Sequence, residues 1–434
     1  MTPVIQTAMQ DRFMKFKGIV VTATLGALLM CGAALIASPA AHAATKGPSQ
    51  AMKRGIALKL KAAQVAIQKG QYALGIAKLN AMAGNKELEA SPYAQHIRNQ
   101  LYVFAYEKSN QDAKLPARIE ALLKDPYETP ANVRSFVVAL AQLNYQLHHY
   151  HQAIKYGTEA LNKGYATKAQ LGTLVAQAYY LLGDWRGTIA FVKQQVAQEV
   201  KAGRTPTKHQ LQLIESSCQK LHDQTCLLNS LEQLVVYYPQ RQYWQYLLYR
   251  TFKTIKSNAN LLEAYRLAFA VGVMKEPHEF ISYAELAIEA GTPGEAETVL
   301  KAALKDGVFT SANSKAKAER ILQDAEKHST AASLASLAHT AVLANEQSTG
   351  NSDIRVGLAY YGYKEYPQAI KLYQEGIAKG GLKRPAEARL LLGIAELAAG
   401  NRAVALHDFA QVQGDPTLVR LAQLWSLKAR SVAA

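Results

Sequence analysis

Two short helices separated by a tight turn recur about every 35 residues from Ala62 to the C-terminus. Periods of this size belong to stacked supersecondary units, each of which buries its apolar face only against its neighbours. Aligning Ala369 with Ala405 superimposes Gly357 on Gly393 and Tyr373 on Phe409, a period of 36 residues. Upstream, Ala153, Thr188, Leu227 and Ala296 occupy equivalent positions, with steps of 35, 39 and 69 residues, the last holding two units. Small residues stand where two helices must cross closely, and aromatic or aliphatic residues fill the space to the next unit. Asp125-Pro126, Thr129-Pro130, Thr205-Pro206, Tyr238-Pro239 and Glu276-Pro277 place proline where one unit stops and another starts. Gly164 and Gly380 follow the last apolar residue of a helix. No strand-type alternation recurs, so the fold class expected is all-α, an α-solenoid of about ten helix pairs.

Ahead of the repeats, Arg12, Lys15 and Lys17 precede an apolar run at 18–36 and the segment Ser38-Pro39-Ala40-Ala41-His42-Ala43-Ala44. A basic stretch, an apolar stretch and an Ala-x-Ala site in that order read as a secretory signal peptide cut after Ala43. Translation from Met14 would leave a shorter basic stretch of the same kind. The alternative is an uncleaved inner-membrane anchor, because the run at 18–36 is just long enough to span a bilayer. The expected division is a signal peptide at 1–43, N-terminal repeats at 44–310, an irregular helical pair or connector at 311–350, and C-terminal repeats at 351–434.

The chain carries a net charge of +16, and loss of 1–43 would leave +14. No block of five Lys or Arg occurs, and aromatics are not interleaved with basic residues as in a nucleic-acid motif. The charge therefore reads as solvated helix faces without nucleic-acid binding, with an acidic partner segment or a membrane surface as the alternative.

Catalytic signatures are lacking in the sequence. His148, His149 and His151 fall at a helix-to-helix turn with no nearby Cys or carboxylate to complete a metal shell. His278-Glu279 lacks the second histidine of the zinc-protease motif, and neither Gly-x-Ser-x-Gly nor a phosphate-binding glycine loop occurs. Glu215-Ser216-Ser217 resembles the catalytic step of lytic transglycosylases, but it lies inside a repeat helix and the segments that accompany it in that family are missing. No enzyme activity, metal or cofactor is expected.

The repeat grammar resembles the tetratricopeptide repeat. The resemblance is carried by Gly357, Tyr360, Tyr366, Ala369, Tyr373 and Gly376, again by Leu392, Gly393, Gly400, Ala405 and Phe409, and by Pro239 followed by Trp244 and Leu247. Residues 62–84, 131–200, 279–308 and 351–414 fit it, whereas 92–126 and 311–346 lack several signature positions. The order of the run at 284–308, the charged helix at 314–327, and the two best repeats ending in Leu421-Ala422-Gln423-Leu424-Trp425 is similar to exported tetratricopeptide proteins found beside the TonB system of Gram-negative bacteria. That resemblance implies a right-handed superhelix and a periplasmic scaffold that serves TonB, ExbB and ExbD through protein–protein contacts. A chaperone for outer-membrane proteins, or an adaptor in peptidoglycan or outer-membrane assembly, is the alternative, with membrane contact peripheral or through an uncleaved signal.

In such a superhelix the first helices of successive pairs line a concave groove. The register places Gln142 and Tyr145, then Thr173, Gln177 and Tyr180, then Gln212 and Lys220, then Gln245, Tyr249 and Lys253 along it. Tyrosine offers apolar area with a polar tip, and Gln and Lys engage peptide groups or carboxylates, a composition that suits an extended peptide. The same tyrosines also suit the gaps between repeats. Residues 237–250 concentrate Tyr237, Tyr238, Tyr243, Trp244, Tyr246 and Tyr249 with Arg241 and Arg250, divided between repeat core and partner surface. Cys218 and Cys226 remain after cleavage, and an oxidising compartment favours their pairing across the turn between two helices. A redox-active pair is the other reading, without a Cys-x-x-Cys spacing to support it.

Overall fold

The computed structural model describes residues 50–431, and every regular element among them is a helix. The signal-peptide or anchor reading of 1–43 lies outside the described residues. No helix of the described residues is long and apolar enough to cross a membrane.

The chain divides into two compact units, one ending at Ala197 and one starting at Gln198. The first contains α1 (Arg54–Gln68), α2 (Tyr72–Asn80), α3 (Lys86–Glu89), α4 (Pro92–Lys108), α5 (Leu115–Leu123), α6 (Pro130–Gln146), α7 (Tyr150–Asn162), α8 (Thr173–Leu182) and most of α9 (Trp185–Lys201). The second contains α10 (Lys208–Lys220), α11 (Gln224–Tyr237), α12 (Arg241–Phe252), α13 (Asn258–Ala270), α14 (Pro277–Glu289), α15 (Pro293–Lys305) and α16 (Ala312–His328). It continues with α17 (Ala331–Asn345), α18 (Asn351–Gly362), α19 (Tyr366–Lys379), α20 (Pro385–Ala398), α21 (Arg402–Ala410) and α22 (Pro416–Arg430).

The helices start and stop for local reasons. Thr129 Oγ1 accepts the Asn132 N–H at 3.1 Å and Pro130 opens α6, where its missing N–H costs nothing. Thr207 and Gln210 form a capping box on α10. Tight turns within pairs need a left-handed residue, which is glycine at Gly70, Gly183, Gly291 and Gly400 but Asn110, His148, His222 and Lys364 elsewhere. His148 is thus a turn residue at φ 61°, with its Nδ1 2.8 Å from the Tyr150 hydroxyl.

Successive helices pack on one another within each unit, as α1 on α2, α6 on α7, α10 on α11 and α18 on α19. In the first unit one core runs from Ile56 in α1 to Ala178 in α8 through Leu60, Tyr102, Ile119, Leu140 and Val175. Each fully buried aliphatic side chain of this kind contributes about 1.5–3 kcal/mol. In the second unit the residues read as a connector behave unlike the other pairs: α16 packs on α14 and α15, whereas α17 packs on α18. The last helix, α22, returns to pack on α11, α12 and α13. Arg420 meets Glu232 at 2.6 Å and Asn260 donates to Asp415 Oδ2 at 3.1 Å, which closes the second unit across 188 and 155 residues of sequence.

Candidate functional site

The sequence-derived strip is partly assembled in the first unit. The Tyr145 hydroxyl donates to Gln177 Oε1 at 2.9 Å and so joins α6 to α8, 32 residues later. Burial, and then the neighbouring Tyr150, raises the Tyr145 hydroxyl above its ordinary pKa. Gln142 lies one turn before Tyr145 and is half-buried, and Tyr180 lies one turn after Gln177 with its ring 4.8 Å edge-on from Trp185. Gln142, Tyr145, Gln177 and Tyr180 therefore occupy adjoining turns of two layers, each with part of its surface open.

In the second unit the same kind of link recurs, with Gln212 Nε2 donating to the Tyr243 hydroxyl at 3.3 Å between α10 and α12. Tyr243 is buried, so Gln212 serves the packing of the two helices. Lys253 places its ammonium 4.5 Å above the Tyr249 ring, Gln245 is half-buried, and Lys220 is exposed at the end of α10. The aromatic stretch at 237–250 is divided: Tyr243, Trp244 and Leu247 are core, Tyr237, Tyr238, Tyr246 and Tyr249 are half-buried, Arg241 and Arg250 are exposed, and the Tyr238 hydroxyl donates to Pro206 O at 2.8 Å. Arg241 donates to the carbonyls of Val273 and Met274 at 3.1 and 2.7 Å, and Tyr246 donates to Gln224 Oε1 at 3.1 Å.

Cys218 and Cys226 form a disulfide with their Cα atoms 5.5 Å apart, across the α10–α11 turn that His222 makes. Closing so short a loop restricts the unfolded chain by about 2.5 kcal/mol. Thiol reduction, or the pair Cys218→Ser and Cys226→Ser, is expected to lower the urea midpoint by that amount of stability while leaving far-UV circular dichroism unchanged.

Glu215 lies inside α10, buried beside the disulfide-bearing turn, with one oxygen accepting from the Gln219 amide. Burial pushes its carboxyl up to about 7 from an ordinary 4.5. The folded state thus holds this proton more tightly than the unfolded chain does. The contribution is complete below pH 4.5 and is lost as pH rises through about 7. Glu215→Gln is expected to gain of order 2–3 kcal/mol over the parent at pH 8 and little at pH 4, as read by chemical denaturation at the two pH values. Ser217 donates to the Leu213 carbonyl at 2.7 Å, so the Glu-Ser-Ser step is built into the helix.

The second unit also holds a buried ionic node that sequence reading passed over. Arg266 of α13 donates from Nε to Glu295 Oε1 at 2.9 Å and from a terminal nitrogen to Glu295 Oε2 at 2.6 Å, and its other terminal nitrogen bonds Glu263. The Tyr283 hydroxyl donates to the same Glu295 Oε1 at 3.0 Å, and the guanidinium stands 5.8 Å from the Tyr361 ring centre. For Glu295, burial, which acts to raise the carboxyl, is outweighed by the charge and hydrogen bonds of Arg266, and its pKa falls. For Glu263 burial wins over Arg266, with Glu387 and Glu295 adding to it, and the carboxyl rises to about 7. One carboxylate thus balances the guanidinium and the other titrates near neutrality. Glu263 Oε2 and the Tyr373 hydroxyl are buried without a hydrogen-bond partner among the described residues. Beside the node, Arg384 meets Glu387 at 3.1 Å and bonds Asn260, which continues to Asp415 at the start of α22. The available signal was a Glu and an Arg three residues apart, flanked by Leu262, Ala264, Leu267 and Ala268, positions where a solvated helix face would be polar.

Among the described residues no three His, Cys, Asp or Glu side chains gather as metal ligands. Compared with models of known protein families the chain matches none, and no curated protein matches it.

Proposed function

We propose that this protein is a non-catalytic tetratricopeptide-type scaffold of the periplasm, a right-handed α-solenoid of about ten helix pairs whose first unit binds an extended segment of a partner protein. The reading rests on the Tyr145–Gln177 link, which sets half-exposed aromatic and amide groups on consecutive layers of the first unit. Packed helices lie about 8–10 Å apart. An extended segment advances about 3.3 Å per residue, so it meets a new Tyr/Gln pair about every third residue. Tyrosine supplies apolar area and glutamine both donates to and accepts from peptide groups. The assembly it serves is TonB with ExbB and ExbD, on the strength of the order of repeats in the sequence.

Crosslinking in cells, followed by capture of the tagged protein and mass spectrometry, tests this reading. Recovery of TonB, ExbB or ExbD is expected, and Tyr145→Ala with Tyr180→Ala should cut that recovery at least about tenfold, since central aromatic residues each carry more than about 1 kcal/mol of binding. Recovery of unfolded outer-membrane proteins or wall enzymes in their place would assign the groove to a chaperone or assembly adaptor.

A further inference from the structure

We propose that the outward face of α1 and α2 docks the protein on an anionic membrane surface. These helices pack on each other and both pack on α4, so the sides turned away from α4 form the end layer among the described residues of the first unit. End layers of stacked repeats ordinarily present a polar outer face. This one presents Leu58, Val65 and Leu74, which are 55%, 39% and 47% exposed. On α1, Arg54, Leu58, Lys61 and Val65 follow one another at intervals of four, three and four residues, with Lys69 at the helix end. That stripe lies opposite the buried Ile56, Leu60, Ala63 and Ile67. On α2, Leu74 and Lys78 share the exposed side, opposite Ile76 and Leu79.

The charge is equally one-sided. Between 50 and 86 the chain carries Lys53, Arg54, Lys59, Lys61, Lys69, Lys78 and Lys86 and no Asp or Glu. The first acidic residue beyond them, Glu87, is already paired with Lys53 at 2.8 Å. Helices whose basic residues flank single aliphatic side chains lie in the plane of the headgroups, with the aliphatic groups inserted and the lysine stems reaching back to phosphate. The apolar residues here are spaced singly among lysines rather than gathered into a cleft, which suits a fluid headgroup layer better than a protein anchor. Chain length is compatible with this: 17 residues separate the end of the apolar run at 18–36 from Arg54. Fully extended, that stretch spans about 60 Å, so a bilayer holding the run lies within reach of this face.

The test is lysine acetylation of the full-length protein, read by mass spectrometry, with vesicles of phosphatidylcholine alone or mixed with phosphatidylglycerol. Lys61, Lys69 and Lys78 should be acetylated several-fold more slowly with the anionic vesicles only, while Lys220 and Lys315 keep their rates. The variant Leu58→Ser, Val65→Ser and Leu74→Ser should lose this protection, and Lys61→Gln or Lys78→Gln should each weaken partitioning about fivefold. Circular dichroism of every variant should retain the helical signal, and the two lysine variants carry the test if the triple variant does not fold. Equal protection by neutral vesicles would overturn the proposal. So would protection in buffer alone, which would place this chain's own N-terminal run on the face, or protection by polyglutamate but not by vesicles, which would make the partner an acidic protein segment.

Discussion

Arg266→Met is expected to destabilise the second unit by about 3–5 kcal/mol, because it removes the one cation that two fully buried carboxylates share. Glu295 would lose both of its guanidinium bonds and keep those of the Tyr283 and Thr292 hydroxyls, and Glu263 would lose its hydrogen-bonded cation and keep only the more distant charge of Arg384. The deficit should be smaller at pH 5 than at pH 8, since protonation neutralises both acids and removes the uncompensated charge. A triple replacement, Glu263→Leu, Arg266→Met and Glu295→Leu, should recover most of the loss, as apolar side chains of similar volume often substitute for buried ion networks. Urea unfolding followed by circular dichroism at the two pH values measures all of this. A loss below about 1 kcal/mol at pH 8 would mean that the node is solvated rather than buried.

The second large effect is expected from glycines at backbone crossings. A Cβ on Gly350 would sit 1.9 Å from the Gly376 carbonyl oxygen and 2.7 Å from its Cα, and a Cβ on Gly294 would sit 2.4 Å from the Gly362 carbonyl oxygen. These neighbours are main-chain atoms, so relief requires the helices themselves to separate. Gly350 also anchors α18 by donating to Gly380 O at 2.9 Å. Gly350→Ala is therefore expected to cost about 3 kcal/mol, the upper end of the range for overpacking, with Gly294→Ala close behind. Gly357 and Gly393 instead face the rings of Tyr373 and Phe409 at 2.9 and 2.6 Å, and rings give way more easily than main chain. Gly55→Ala, which meets nothing within 4 Å in α1, should be neutral or stabilising by up to about 1 kcal/mol. Equal stability of the Gly350→Ala and Gly55→Ala proteins would show that α18 and α19 do not cross as closely as described.

These expectations also mark what a sequence can and cannot show. The period that aligned Gly357 with Gly393 and Tyr373 with Phe409 is visible because a close crossing demands glycine and the facing helix supplies a ring, and the rings do lie against those glycines. Prolines opened α6 and α14 as read, since local rules govern helix starts. The turns at His148 and at His222, between Cys218 and Cys226, were also placed, although a non-glycine residue takes the left-handed conformation there, whereas those at Asn110 and Lys364 carry no glycine to mark that conformation. The return of α22 to α11, α12 and α13 was not legible at all, because periodicity reports neighbouring layers and this closure joins residues 155 and 188 apart. The ionic node was missed for a related reason: Glu263 and Glu295 read as ordinary polar positions until helices far apart in sequence enclose them. Of the strip, Tyr145 and Gln177 are in contact between layers, whereas Gln212 meets the buried Tyr243, a distinction that depends on side-chain depth rather than register.

The most direct test of the scaffold reading is a photoreactive phenylalanine analogue placed at Gln142 or at Tyr180 in cells, with Lys193 on the exposed side of α9 as the comparison position. Light-dependent adducts with periplasmic segments of TonB, ExbB or ExbD are expected from the first two positions and none from the third. The same adducts from all three positions, or none from any, would contradict it.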